Sequence, residues 1–148
     1  FIGRPVAEKG IYYLQSVWPM AKITPWSDWL KVPWALSAIK VVVCYSQDTS
    51  SWHEQAMPYA AAEAMAAGCA VVVSDAGAIP WWLKGGYCEP CSAAVMVPQA
   101  SPDKLRAGIL QALSDWEARG KAGRKWVEKH LGSVEISKQL AKALREAT

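Results

Sequence analysis

The stretch from Glu54 to Asp75 joins an acidic loop, a helix of small residues and an apolar strand. Pro58 fits the first position of a helix, where a missing N–H costs nothing, and Gly68 fits its end, where the backbone turns left-handed. Most residues between them are alanine, and Glu63 is the one carboxylate. Such a helix buries little area through large side chains, so its backbone can approach another group closely. A ligand with phosphates and hydroxyls is one candidate for that group.

Short apolar runs alternate with helical patterns along the whole chain. The runs predict buried strands at residues 1–3, 41–45, 70–74 and, more weakly, 93–97. Helices are predicted at residues 8–17, 58–67, 102–116, 118–130 and 134–147. Residues 27–39 are ambiguous, because Pro33 either breaks or restarts a helix. This alternation predicts an α/β fold, a Rossmann-like parallel sheet flanked by helices.

The C-terminal helices carry their own boundary signals. Ser101 is a candidate cap for the helix at 102–116. The apolar face of this helix is predicted to carry Leu105, Ile109, Leu110 and Leu113. Gly132 separates the last two helices, and Ser133 is expected to cap the C-terminal helix over 133–147.

Composition places the chain among globular proteins. With 148 residues, 52% hydrophobic and 20% charged, it is predicted to form one domain over residues 1–148. A net charge of +3 without a basic stripe argues against nucleic acid and suits a small anionic ligand. No apolar run reaches the roughly 18 residues of a membrane span. The cytoplasm is the expected location, with peripheral association at a membrane surface left open. Because Phe1 already lies in a strand pattern, a fragment or excised domain is expected.

The four cysteines do not predict a disulfide framework. Cys44 and Cys69 lie in apolar runs, where a free cysteine behaves as a small hydrophobe. Cys88 and Cys91 have the spacing of half a zinc site, but His53 and His130 are isolated in the sequence. A plain turn is therefore favoured over a metal site.

Two motifs resemble the donor site of a known enzyme family. In that family a glutamate, seven further residues and a second glutamate lead into Ala-Met-Ala-x-Gly and a buried strand. Here Glu63 takes the second position, the same interval back reaches Gln55, and Glu54 lies one residue earlier. The opening residues 1–10 resemble the family's first strand and phosphate loop. The family is the retaining glycosyltransferases of group 1 type, which have the GT-B architecture and use nucleotide-sugars.

Further segments extend the resemblance over residues 1–17 and about 36–147. Gly77-Ala-Ile-Pro-Trp81 resembles a Gly-Gly-Ile-Pro-Glu turn, and residues 96–105 resemble the passage into the next helix. The resemblance implies the C-terminal, donor-binding half of a GT-B enzyme. The N-terminal acceptor-binding domain would then be a partner outside this chain.

The resemblance assigns the diphosphate to the loop after the first strand. Negative charge grows on that diphosphate as the glycosidic bond breaks, so fixed positive charge stabilises the transition state. Arg4 and Lys9 supply it, the first as a forked donor and the second as a point charge, and Gly3 would contact the donor. A solvated surface pair is the alternative.

The start of the alanine helix is the second part of the predicted donor site. Its free N–H groups, on Tyr59, Ala60 and Ala61, would bind an anion. By resemblance Glu63 holds the ribose diol, since an ionised carboxylate accepts two hydrogen bonds; an exposed helix glutamate is the alternative. The family's first glutamate contacts the donor sugar, and here Gln55 or Glu54 would do so.

The segment between the first helix and residue 39 is shorter than in the family. Residues 18–38 cannot hold the strand, helix and strand expected there, because one βαβ unit needs about 30 residues. The sheet is therefore expected to be short by one or two strands. Four tryptophans of this region, Trp18, Trp26, Trp29 and Trp34, are expected to pack in the core or, alternatively, to mediate self-association through residues 18–34.

The function predicted from the sequence is transfer of a sugar from a nucleoside-diphosphate sugar with retention. Arg4, Lys9, Glu54 and Gln55 are the candidate catalytic residues. No metal and no cofactor are expected, because the two cations neutralise the diphosphate, and the chain alone is expected to be inactive. The alternative is a non-catalytic Rossmann-like module for binding or assembly. Neither a dinucleotide fingerprint, nor a P-loop, nor a nucleophile elbow is present.

Overall fold

The computed structural model of the protein describes residues 6–23, 32–86 and 88–146, without the side chains of residues 32–34, 143, 144 and 146. Within these ranges one sheet contains three parallel strands in the order β1 (Val41–Cys44), β2 (Ala70–Ser74) and β3 (Val95–Val97). Val42 pairs with Val71, and Val72 pairs with Val95. Each strand lies within a predicted run, and the parallel pairing confirms the predicted α/β class. The strand predicted at residues 1–3 lies outside the described residues.

Helices flank the sheet on both faces. In chain order they are α1 (Ile11–Val17), α2 (Val32–Ser37), α3 (Tyr59–Ala66), α4 (Ile79–Leu83), α5 (Pro102–Ser114), α6 (Trp116–His130) and α7 (Ser133–Glu146). The bounds of α3, α5, α6 and α7 agree with the predicted helices to within about two residues, which is the usual uncertainty of helix ends. In the ambiguous range 27–39, α2 begins one residue before Pro33, at a position that tolerates proline.

Two local predictions differ from the structure. The single helix predicted at 8–17 is divided into a 3-10 turn (Ala7–Lys9) and α1, with Gly10 between them at a φ of 66°. A Cβ atom at Gly10 would overlap the carbonyl oxygen of Tyr45, so only glycine fits there. The turn predicted at Gly77–Trp81 continues into the helix α4, because Pro80 lies in its first turn, where it is tolerated.

The boundary signals of the C-terminal helices are only partly confirmed. Ser101 does occupy the N-cap of α5, but its side chain makes no capping hydrogen bond. Leu105 and Ile109 are buried, whereas Leu110 is 49% exposed, so the predicted apolar face is narrower than expected. Ser133 is the first residue of α7 rather than its cap.

Alternate residues of the strands pack into two separate cores. Val42, Cys44, Val71 and Val73 pack on one face with α3, α4 and α6. Val43, Tyr45, Ala70, Val72, Val95 and Val97 pack on the other face with α1 and α5. Because both faces of β1 and β2 are covered, each of these strands has a continuous apolar run, as buried parallel strands do. Each fully buried valine stabilises the fold by about 1.5–3 kcal/mol.

The cysteines and Trp18 also belong to this packing. All four cysteines are free thiols, and Cys44 and Cys69 are buried, as predicted. Burial raises the pKa of the Cys44 thiol to about 12, which keeps it protonated. Trp18 packs half-buried against the α1 and α5 core, while Trp26, Trp29 and the Trp34 side chain lie outside the described residues. Self-association through this region stays a prediction.

No helix in the described ranges combines the length and the apolar character needed to cross a membrane.

Replacing Gly120 with alanine is expected to destabilise the fold by about 2 kcal/mol, a typical cost of overpacking. At this position α6 contacts the α3–β2 turn, and an added Cβ atom would overlap the backbone carbonyl of Gly68. Gly123→Ala is the matched control one turn along the same helix. Its Cβ would lie 3.1 Å from Cγ of Met65, a tight contact that a small shift of that side chain relieves, whereas the overlap at Gly120 is with backbone. Urea unfolding should separate the two variants, and equal losses of stability would contradict this account of the packing.

Candidate functional site

Three loops meet at the carboxyl ends of β1 and β2, the edge where open α/β sheets bind ligands. The loop before α1 is attached to the segment after β1, since the N–H of Gln47 donates to the carbonyl of Glu8 at 2.8 Å. The segment after β1 is attached to the loop after β2, since the N–H of Ala78 donates to the carbonyl of Glu54 at 2.7 Å. A Cβ atom at Gly77 would overlap the Glu54 backbone. The close backbone contacts fix the relative positions of these loops.

A part-buried ion pair lies at the centre of this junction. The Nζ atom of Lys9 lies 2.8 Å from Oε2 of Glu54, and the two side chains are 23% and 13% exposed. The indole ring of Trp52 covers another side of the ammonium, with its centroid 4.5 Å from Nζ. A lysine held between a carboxylate and an aromatic ring is restricted in position. It therefore offers a fixed positive charge to an incoming anion.

Ser46 supports Glu54 from inside the protein. Its hydroxyl donates to the same oxygen, Oε2, at 2.7 Å. Its own carbonyl accepts a hydrogen bond of 2.5 Å from the hydroxyl of Ser74, the last residue of β2. Ser46 is not among the residues predicted from the sequence. Its signal was a polar residue immediately after a buried strand, which is where site residues of parallel sheets lie.

Asp48 connects the loops on the other side of the junction. One carboxylate oxygen accepts hydrogen bonds from the N–H of Gly77 at 2.9 Å and from the side-chain amide of Gln99 at 3.0 Å. The other oxygen lies 3.3 Å from Nδ1 of His53. These hydrogen bonds, that of Gly77 first, lower the pKa of the Asp48 carboxyl. Neither Asp48 nor Gln99 is among the site residues predicted from the sequence.

The start of α3 matches the predicted anion site only in part. Neither the N–H of Tyr59 nor that of Ala60 has a hydrogen-bond partner among the described residues, whereas the N–H of Ala61 donates to the carbonyl of Pro58 at 2.9 Å. Ala61 is fully buried and Tyr59 is 87% exposed. The side chain of Glu63 is exposed and accepts no hydrogen bond within the described ranges. It is therefore free to accept hydrogen bonds from a ligand.

The predicted site residues fall into three groups. Gly3 and Arg4 lie outside the described residues. Lys9 and Glu54 are brought together by the ion pair. Gln55 is exposed and makes no polar contact in the part of the chain that the structure describes. Of these two residues, Glu54 is thus the one that contacts Lys9 at the junction of the three loops.

The described residues form no metal cluster, and a separate cavity lies away from the loop junction. Within residues 6–23, 32–86 and 88–146, no three His, Cys, Asp or Glu side chains are grouped in a way that could hold a metal ion. A cavity of about 240 Å³ lies between α1, β1 and α5, where Leu14, Val41 and Ile109 are among its lining residues. It does not include Lys9 or Glu54, so it is separate from the junction of the three loops.

Replacing Asp48 with asparagine is expected to reduce the loss of folding stability that occurs as the pH is lowered. Because the folded pKa of Asp48 is lowered from 3.8, its contribution is fully present above that value and is lost as the pH falls through the folded pKa. The thermal unfolding temperature of the wild type should therefore fall more steeply below about pH 4 than that of Asp48→Asn. Asp103→Asn, an exposed acid at the start of α5, is the control. Equal slopes in all three proteins would contradict the prediction.

Comparison with solved structures agrees with the observed fold. A sucrose-phosphate synthase from Thermosynechococcus elongatus matches 94% of this chain with a TM-score of 0.57 and 22% sequence identity. The match covers 34% of that protein, so the chain spans about a third of its length. At this identity the likeness establishes the fold, a partial GT-B domain. No curated protein sequence matches the chain.

Comparison with protein families gives a more specific result. The profile of the family Glycosyl transferases group 1 matches residues 3–115, which is more than half of the chain. This range includes the loop that carries Lys9, the segment with Glu54, and α3 with Glu63. The motif resemblance and the profile thus agree over the same segments. The chain belongs to the Glycosyl transferases group 1 family.

Proposed function

We propose that this chain is the donor-binding half of a retaining glycosyltransferase that uses a nucleoside-diphosphate sugar. The observation that carries the proposal is the position of Lys9, whose ammonium is held at the carboxyl ends of the strands by Glu54 and Trp52. Membership of the family supports glycosyl transfer in general. The charge and the position of Lys9 support a diphosphate as the group that it binds.

In the proposed reaction the bond between the anomeric carbon of the sugar and the diphosphate oxygen breaks. The acceptor hydroxyl then adds to that carbon on the same face, and its proton leaves with the departing diphosphate. Negative charge develops on the diphosphate, so a fixed ammonium stabilises the transition state more than the ground state. Lys9 has this role, and Arg4 is assigned beside it by the family resemblance. This assignment requires neither a metal ion nor a cofactor.

The remaining donor contacts follow from which polar groups are unoccupied. The N–H groups of Tyr59 and Ala60 are assigned to the anion, and Gly3 to the same loop contact. Glu63 is assigned to the ribose diol because its carboxylate is exposed and accepts two hydrogen bonds. Glu54, rather than Gln55, is assigned to the donor sugar.

The acceptor is proposed to bind on a second α/β domain. The chain spans only about a third of the solved relative, which is consistent with a larger enzyme. A cleft between two domains would also exclude water, so this chain alone is expected to bind the donor but to turn over little. A cytoplasmic location, with peripheral contact at a membrane surface, belongs to the same proposal.

Replacing Lys9 with methionine is expected to weaken binding of UDP or GDP by tenfold or more. A hydrogen bond to a charged group contributes about 1.5–3 kcal/mol, and about 1.4 kcal/mol corresponds to tenfold. Glu63→Gln should weaken binding by a smaller factor, because glutamine keeps one carbonyl acceptor. Isothermal titration calorimetry with both nucleotides and their sugar conjugates measures these effects.

The control for this experiment is Lys104→Met, which removes an exposed cation on α5 and should bind nucleotides as the wild type does. Equal weakening in both lysine variants would show a general effect of charge rather than a site at Lys9. If the wild type binds none of the nucleotides, the donor-site proposal fails, and the non-catalytic module becomes the better account.

A further inference from the structure

We propose that Glu54 lets the site discriminate between an intact nucleotide-sugar and the bare nucleoside diphosphate that remains after transfer. This inference rests on the proposed function, because it assigns the diphosphate to Lys9. It starts from the observation that the two oxygens of one carboxylate have different surroundings. Oε2 accepts hydrogen bonds from Nζ of Lys9 and from the hydroxyl of Ser46, whereas Oε1 has no donor among the described residues.

The Oε2 side places negative charge next to any bound phosphate. A phosphate oxygen that accepts a hydrogen bond from Nζ lies about 2.8 Å from it. Since Oε2 lies 2.8 Å from the same nitrogen, the two oxygens are separated by at most about 5.6 Å. Trp52 covers another side of the ammonium and limits the directions of approach. A diphosphate on Lys9 therefore lies close to a like charge, which weakens its binding.

The Oε1 side compensates this repulsion only for the intact donor. An ionised carboxylate is an acceptor without hydrogens, so it needs an O–H or N–H donor. A sugar attached to the diphosphate carries hydroxyls that can donate to Oε1, and the bare diphosphate carries none. The same side chain thus adds a favourable contact for the substrate and leaves only repulsion for the product. The physical consequence is faster release of the nucleoside diphosphate.

The variant Glu54→Gln removes the negative charge of the side chain without changing its size. Glutamine has the same size and keeps a carbonyl oxygen that can accept from Lys9, but it has no negative charge. The variant should bind UDP about fivefold to tenfold more tightly than the wild type, as expected for loss of a screened like charge. Its affinity for UDP-glucose should rise by less, so the ratio of the two dissociation constants should change by about fivefold. GDP with GDP-mannose is the second pair of probes.

Two further variants make the test specific. Glu54→Asp keeps the charge and should still disfavour the bare diphosphate, provided that circular dichroism shows a native fold. Glu8→Gln removes a neighbouring acid on the Lys9 loop and should leave the ratio unchanged, because its side chain makes no polar contact in the described part of the chain. Tighter UDP binding together with a changed ratio, in Glu54→Gln and in neither of the other two variants, supports the inference.

The outcomes separate this inference from the proposed function. If UDP binding depends on Lys9 but Glu54→Gln keeps the wild-type ratio or binds UDP less tightly, the discrimination role is wrong and the donor site stands. If Glu8→Gln tightens UDP binding as much as Glu54→Gln does, the effect is one of net charge and the inference is again wrong. If the wild type binds no nucleotide, both proposals fail together.

Discussion

Burial of both faces of β1 and β2 is the constraint on which the rest of the structure depends. Successive strand residues point to opposite faces, so Val71 and Val72 enter different cores although they are neighbours. Helices cover both faces, and the strands run parallel with helical crossovers between them. This arrangement brings the carboxyl ends of the strands to one edge. The parallel topology alone therefore places the polar residues that follow each strand at the same edge of the sheet.

Close backbone contacts fix the relative positions of the loops at this edge of the sheet. Gly10 and Gly77 both lie where a Cβ atom would overlap a neighbouring loop, so the loops approach more closely than side chains normally permit. The hydrogen bond from Ser74 to the carbonyl of Ser46 adds a tie between the ends of β1 and β2. A site held in this way loses little conformational entropy when a ligand binds. The contacts of the chain itself therefore fix the position of Lys9.

The features that could be predicted from the sequence have a local signal, whereas those that could not depend on contacts between loops distant in the chain. The apolar runs at 41–45 and 70–74 and the alanine helix were predicted because their periodicity and their glycine or proline ends lie in the chain itself. The exposure of Leu110 could not be predicted in this way, because it depends on how α5 packs against the sheet. Spacing alone points to Gln55, whereas the contact between Lys9 and Glu54 joins residues 45 positions apart, which no local pattern contains. The role of Asp48 likewise depends on Gly77, from another loop. Ser46 contacts Glu54 within its own segment, and this contact depends on how that segment folds.

The Lys9–Glu54 pair is difficult to explain by stability alone. Partly exposed ion pairs contribute about 0–1 kcal/mol, and an apolar pair of similar size would often stabilise a half-buried position equally well. Here the carboxylate also receives the Ser46 hydroxyl, and the ammonium lies against an indole ring, so several groups are committed to holding one cation in place. Such an arrangement is reasonable if the position of the charge matters more than its contribution to folding. A fixed charge at the carboxyl ends of parallel strands is what binding and activating a phosphate ester require.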